Sequence, residues 1–140
     1  MNALVSETWL TNGWGWHTAI WTESAEMLEH YGWKWWKKID PDMEQVKLEL
    51  VDIWHFGLSD LLVKYNGDLE GVKKLIAQEW VESKSSLVHT EFVSFTEVLE
   101  SFVECCILHK MFSVGKFALL CNYVGMDFEE LYKMYLGKNV

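Results

Sequence analysis

The chain has 140 residues, half of them apolar, and a formal net charge of −9. This length and composition fit one compact domain with its own core, and the negative charge argues against nonspecific binding to nucleic acid or to an anionic membrane. It does not exclude a phosphate-bearing small molecule, because a bound cation can reverse the local field.

The first predicted helix runs from about Trp16 to Tyr31. Apolar side chains recur along it at helical spacing, and Gly32 follows as a residue that commonly ends a helix. The preceding residues 1–15 are ambiguous and could be the tail of a helix followed by a glycine-rich turn. After the helix, residues 33–38 read WKWWKK and are expected to form a basic and aromatic loop or short turn.

The second predicted helix begins at Asp40-Pro41, where an N-cap residue is followed by a proline suited to the first helical position. It runs to about Tyr65, and Asn66-Gly67 predicts its end. Between residues 46 and 62 apolar side chains occupy nearly every angle around the axis, which is typical of a helix buried on all sides.

The second half of the chain is also helical in pattern. A polar stretch over residues 83–91 predicts a loop, and no segment shows the sustained alternation of a strand. We therefore predict an all-α fold, a bundle of about four to six helices in a single domain over residues 1–140. The remaining predicted helices cover residues 69–82, 92–111 and 113–125, with a last one that starts at a capping box of Asp127 and Glu130.

The cysteines indicate the compartment rather than the chemistry. There are three of them, Cys105, Cys106 and Cys121, and neither their number nor their spacing suits a disulfide framework or a zinc site. We expect small core residues in a reducing cytoplasm. The sequence also shows no signal-peptide pattern and no apolar run of about 18 residues, so we expect no membrane partner.

Two pairs of carboxylates give the clearest functional signal. Glu23 and Glu26 lie three residues apart in the first predicted helix, and Glu49 and Asp52 lie three apart in the second, so each pair shares one helix face. Such acids are often solvated charges, but Glu23 lies on an apolar stripe and the second pair on a helix that is apolar all round. Four converging acids would need a cation, and oxygen ligands suit Mg²⁺ or Mn²⁺ rather than zinc.

Residues near these acids could bind a ligand. His55 follows Asp52 by three residues and could reach the same cavity, or it could be a core histidine bonded to a backbone carbonyl. Phe56 could be plain core. In the segment 33–38 the rings could stack a base and the lysines could hold phosphates, or the rings could plug a helix junction beside solvated lysines.

The chain ends in LYKMYLGKNV, where Lys138 and Asn139 could contact a phosphate or a base, or could belong to a frayed end. Together with ESAE, WKWWKK and ELVDIWHF, this segment resembles the dimeric dUTP diphosphatases of the all-α nucleoside triphosphate pyrophosphatase superfamily. The resemblance spans about residues 9–56 and 126–140, and the region between carries no motif. The combination is specific, whereas E-x-x-E alone would be weak.

The resemblance implies a set of site residues. It implies that Mg²⁺, or Mn²⁺ in its place, is held by four acids, Glu23, Glu26, Glu49 and Asp52. It implies that uracil and deoxyribose contact Trp35, His55 and Phe56, and that Lys34 or Lys37 lies near the phosphates. It also implies phosphate and nucleoside contacts from Lys138 and Asn139, and a contact to the uracil edge from Asn2.

The activity implied by the resemblance is hydrolysis of dUTP, with dUDP as a possible second substrate, to dUMP and pyrophosphate. Bound metal would bridge the phosphates and lower the pKa of the attacking water, and Glu26 or Glu49 could be the catalytic base. Two alternatives stay open. One is a related pyrophosphatase acting on another nucleotide such as dCTP, and the other is a non-catalytic nucleotide-binding or interaction module.

The resemblance also predicts where the domain ends, and the tryptophans predict its oligomeric state. By comparison with the family pattern, we expect the domain to be shortened at both ends, before Met1 and after Val140. Most of the nine tryptophans lie in the first 54 residues, more than one small domain usually buries. We expect part of this surface, or of the helices over residues 92–124, to pack on a second copy as a homodimer with two-fold symmetry.

Overall fold

The computed structural model describes residues 8–86 and 94–139. Over these residues the chain forms six helices and no strand, which confirms the predicted all-α bundle. Among the described helices there is no candidate for a membrane-spanning segment. The helices are α1 Trp16–Tyr31, α2 Met43–Lys64, α3 Leu69–Ser86, α4 Phe95–His109, α5 Val114–Tyr123 and α6 Phe128–Asn139.

Helix α2 is the central element of the bundle. It packs against α1, α3 and α6, while α4 packs on α1 and α5, and α5 packs on α3. Its apolar side chains are buried around its circumference, as its sequence predicts, and Trp54 is surrounded by rings from several elements. The centroid of Trp54 lies 5.6 Å from that of Phe117, 6.1 Å from Phe112 and 6.2 Å from Trp80.

The start of α2 differs from the sequence prediction. The N-cap is Asp42, not Asp40, and its carboxylate accepts a hydrogen bond from the backbone N–H of Gln45 at 3.2 Å. The backbone N–H of Asp42 in turn donates to the carbonyl of His30 at 2.8 Å. This bond between the end of α1 and the start of α2 fixes where the second helix can begin, so Pro41 lies outside it.

The predicted end of α3 and the predicted start of α4 also move. Helix α3 continues to Ser86 instead of ending at Glu82, and α4 begins at Phe95 instead of Phe92. The hydroxyl of Ser94 accepts from the N–H of Glu97 at 3.2 Å and so caps α4. At α6, Asp127 accepts from the N–H of Glu130 at 2.8 Å, but the Glu130 carboxylate binds Lys47 on α2 rather than closing a capping box.

The far end of α2 is anchored by a buried carboxylate. Asp60 accepts from the Nζ of Lys64 at 2.5 Å and from the backbone N–H of Phe112 at 3.0 Å. Lys64 also donates to the carbonyl of Lys110 at 2.7 Å. Gly57, one turn before Asp60, lies so close to the Phe112 ring that an added Cβ would approach it to 2.7 Å. These contacts fix the turn between α4 and α5 on α2.

Candidate metal centre

Helices α1 and α2 place their acids toward each other because their apolar faces pack together. On α1, Ile20 and Met27 are fully buried, and Glu23 lies between them on the same face. On α2, Glu49 precedes the fully buried Leu50 and is itself only 7 % exposed. Asp52 follows one turn later and is half-buried. The acids therefore reach the same space from two helices.

Three of the four predicted metal ligands converge. Glu23, Glu49 and Asp52 each offer one carboxylate oxygen, and these oxygens all lie within 4.8 Å of one another. Glu26, one turn after Glu23, is exposed and lies outside this cluster. The structure thus brings together a three-carboxylate group, hereafter the acid cluster, and leaves Glu26 at its solvent side.

The acid cluster is electrostatically strained. Burial raises the pKa of Glu23 from 4.5 to about 8, and two further causes act in the same direction. One is the hydrogen bond that protonated Glu23 can donate to Glu49, and the other is repulsion by the charges of Glu49, Glu26 and Asp52. Among the described residues, the buried Oε2 of Glu49 has no hydrogen-bond partner.

These features fit a divalent cation. Three carboxylates supply oxygen donors, which hard divalent metals prefer, and a buried carboxylate oxygen without a hydrogen bond is a group that a metal could satisfy. Histidine and cysteine do not take part in the cluster, which argues against zinc. The imidazole of His30 lies beside the cluster, with its Nε2 3.7 Å from Oε1 of Glu49.

Helix α6 brings a cation to the acid cluster. The Nζ of Lys138 donates to Oδ1 of Asp52 and forms an ion pair with it. Asn139 is the last residue of α6, and its side chain lies outside what the structure describes. Asn2 also falls outside the described residues. Lys138 is therefore beside the predicted metal ligands, in a contact that residue spacing could not have predicted.

An aromatic group lies on the next turn of α2. His55 is buried, and its ring lies 5.6 Å from that of Phe56 and 6.1 Å from that of Tyr135, the latter pair tilted by 28°. Burial lowers the pKa of His55, which favours the neutral imidazole. Sequence reasoning missed Tyr135, although it lies three residues before Lys138 and so on the same face of α6.

The basic and aromatic loop is open to solvent. Trp35 is 87 % exposed and contacts the ring of Trp36 edge-on, so Trp35 does not plug a helix junction. The Nζ of Lys34 pairs with Glu29 at 3.1 Å, and Lys37 is exposed. The structure therefore brings neither Trp35 nor Lys37 against the acid cluster, and their binding roles stay predictions.

The structure is that of a helical bundle in which two packed helices bring carboxylates together, with a lysine beside them. This is a class of protein suited to holding a divalent cation. A sequence model of the dUTPase family matches residues 1–140, the whole chain. No curated protein matches it. The chain belongs to the all-α dUTPase family, whose members typically use a divalent metal.

Proposed function

We propose that this protein is a Mg²⁺-dependent dUTP diphosphatase that converts dUTP to dUMP and pyrophosphate. The observation that carries the proposal is the acid cluster, with oxygens of Glu23, Glu49 and Asp52 within 4.8 Å in a chain of the dUTPase family. Carboxylate oxygens are the donors that Mg²⁺ and Mn²⁺ prefer. The same geometry would be hard to explain as surface charge, because Glu49 is buried.

The acids have different tasks in this proposal. Glu23, Glu49 and Asp52 hold the metal, which when bound neutralises phosphate charge and lowers the pKa of a coordinated water. Glu23 must release its proton to become a ligand, because its pKa is raised to about 8 in the metal-free protein. Glu26 is exposed at the solvent side of the cluster, so we propose it over Glu49 as the base that accepts a proton from water.

The substrate groups are assigned to the surroundings of the acid cluster. His55 and Phe56 lie on the turn of α2 after Asp52, and we propose that they contact the uracil and deoxyribose together with Trp35. A neutral His55 can donate from one ring nitrogen and accept at the other, which suits the edge of a base. Lys34, Lys37, Lys138 and Asn139 are the proposed phosphate contacts, and Asn2 a contact to the uracil edge.

The test is metal-dependent pyrophosphate release from a panel of nucleotides. With Mg²⁺ we expect hydrolysis of dUTP in preference to dCTP, because a site built to pair with one base edge rejects a different edge strongly. We also expect preference over dTTP and UTP, because a close-fitting pocket excludes the 5-methyl group of thymine and the 2′-hydroxyl of ribose. With chelator we expect no hydrolysis. Equal hydrolysis of dUTP and dCTP would contradict the proposed base preference. If no nucleotide in the panel released pyrophosphate, the proposed enzymatic activity would be wrong.

We also propose that the protein acts as a homodimer. Several tryptophans stay exposed in the single chain, among them Trp14, Trp21 and Trp36 at 41 %, 39 % and 55 %. Exposed aromatic groups of this kind commonly mark protein contacts. Light scattering at micromolar concentration should therefore give twice the 16.4 kDa of one chain. A single-chain mass at that concentration would contradict the proposed assembly.

A further inference from the structure

Helix α6 is held on α2 by contacts that do not involve Lys138. Leu131 is fully buried, and Glu130 binds the Nζ of Lys47 on α2 at 2.8 Å. Tyr135 stacks against His55 on the same helix. The Lys138 pair with Asp52 is thus a fourth contact at the end of a helix that is already anchored, and its side chain remains 40 % exposed. The fold does not need this pair to position α6.

The pair conflicts with metal binding. Oδ1 of Asp52 accepts from Lys138, while Asp52 is also one of the three acids whose oxygens converge within 4.8 Å. A divalent cation bound to the Asp52 carboxylate and an ammonium group hydrogen-bonded to that same carboxylate would lie only a few ångströms apart. The two cations also repel each other, which makes simultaneous occupation of the acid cluster unfavourable.

We propose that Lys138 is an internal counter-ion of the acid cluster, displaced from Asp52 by the metal and then bound to the phosphates of the incoming nucleotide. This rests on the proposed function. In the metal-free protein Lys138 offsets part of the negative charge of Glu23, Glu49 and Asp52. After metal binding the released ammonium group, still carried by α6, would be available to the phosphates and would increase affinity for a triphosphate. Lys138 thereby opposes metal binding alone and favours the complete complex.

The test measures two affinities that should change in opposite directions. Calorimetry with MgCl₂ alone should show Lys138→Met binding Mg²⁺ about tenfold more tightly than wild type, because one competing charge at close range is removed. Calorimetry with α,β-imido-dUTP in saturating Mg²⁺ should show Lys138→Met binding about tenfold more weakly. A purely structural role for Lys138 would weaken both.

Lys133→Met is the matched control. Lys133 lies on the same helix, pairs with the exposed Glu129 at 2.9 Å, and is 72 % exposed. The substitution Lys133→Met removes the same charge from α6 but changes no contact of the acid cluster. The affinities for Mg²⁺ and for the nucleotide analogue should therefore stay within about twofold of wild type at moderate salt. Lys138→Arg keeps a cation beside Asp52 and should retain the wild-type Mg²⁺ affinity more closely than Lys138→Met.

The outcomes separate this inference from the proposed function. Mg²⁺ binding that Glu49→Gln abolishes, but that Lys138→Met leaves unchanged or weakens, would overturn the counter-ion role alone. Wild-type protein that binds no Mg²⁺ would overturn both the metal site and the inference. An increase in Mg²⁺ affinity of the same size for Lys133→Met would show a general charge effect of α6, and would also overturn the specific role of Lys138.

Discussion

Glu23 on α1 and Glu49 on α2 are close enough that protonated Glu23 donates a hydrogen bond to Glu49, and this contact contributes to a pKa of about 8 for Glu23. Burial is the largest cause, and the neighbouring negative charges add to it. Below this pKa the metal-free protein keeps a proton in the acid cluster. As a proposed ligand of Mg²⁺, Glu23 would have to lose this proton, so metal binding should release a proton.

The first prediction is a pH dependence of stability without metal. A carboxyl group whose pKa rises on folding stabilises the folded state fully below its unfolded pKa of 4.5, and this contribution is lost as the pH rises through about 8. The melting temperature of chelator-treated protein should thus fall across this window. Glu23→Gln should reduce the fall, whereas Glu104→Gln, an exposed change on α4, should not. If the melting temperatures of wild type and Glu23→Gln depended on pH in the same way, the raised pKa of Glu23 would be wrong.

The second prediction concerns stabilisation by metal. In the proposed function Mg²⁺ binds only the folded state, so a concentration 100-fold above its Kd should add about 2.7 kcal/mol to the free energy of unfolding. The rise in melting temperature should be larger at pH 8.5 than at pH 6, since Glu23 is then deprotonated more fully. Scanning calorimetry with and without Mg²⁺ checks this. No thermal shift at either pH, over a wide range of Mg²⁺, would count against the metal site.

The third prediction separates a metal ligand from a base. Glu49→Gln removes a buried ligand charge and should abolish both the Mg²⁺-induced thermal shift and turnover, while the metal-free protein stays as stable or becomes more stable through relief of repulsion. Glu26→Gln should keep the thermal shift and lose about 10² to 10⁴ in kcat, the usual contribution of a general base. Turnover that survives Glu26→Gln would return the base role to Glu49.

The fourth prediction concerns the exposed loop. Trp35→Ala should leave the melting temperature nearly unchanged, because the ring is 87 % exposed, but should weaken nucleotide binding by about 1–3 kcal/mol if the ring stacks on the base. The Mg²⁺ affinity should not change. Val81→Ala on α3, at 66 % exposure and away from the acid cluster, is the control and should affect neither quantity. If Trp35→Ala bound the nucleotide as tightly as wild type, the proposed contact between Trp35 and the base would be wrong.

The fifth prediction tests the packing of α2 against the turn after α4. A Cβ added at Gly57 would approach the Phe112 ring to 2.7 Å, so Gly57→Ala should lower the free energy of unfolding by about 1–3 kcal/mol. Gly115→Ala is the matched change, because nothing lies within 4 Å of its added Cβ in α5. It should be neutral or stabilise the helix by up to about 1 kcal/mol. Urea titration of both variants gives the comparison.

Local sequence signals predicted which segments are helical better than they predicted the residues at which the helices begin. The apolar spacing from Trp16 to Tyr31 and the all-round apolar surface of α2 gave the correct elements, because both patterns reflect burial directly. The predicted N-cap of α2 was wrong, because Asp40 and Asp42 are equally suitable as N-cap residues by their type. The deciding contact is the bond from the N–H of Asp42 to the carbonyl of His30, which belongs to another helix.

The sequence also predicted the acid cluster only in part. Spacing predicts that Glu23 and Glu26 share a face, but which of them turns toward α2 depends on how the two helices rotate against each other. The structure brings Glu23 to Glu49 and leaves Glu26 exposed. Lys138 and Asp52 are separated by 86 residues, so their pairing follows from the docking of α6 and from no local pattern.

The placement of the acids on a helix buried on all sides has a consequence for hydrogen exchange. Backbone amides in a fully packed central helix open only when the whole molecule unfolds, whereas those of exposed loops open by local fluctuation. Glu49 and Asp52 therefore lie on the segment expected to exchange most slowly, and Trp35 lies on one expected to exchange early. The two acids that α2 gives to the proposed metal site would therefore keep their spacing while the exposed loops fluctuate.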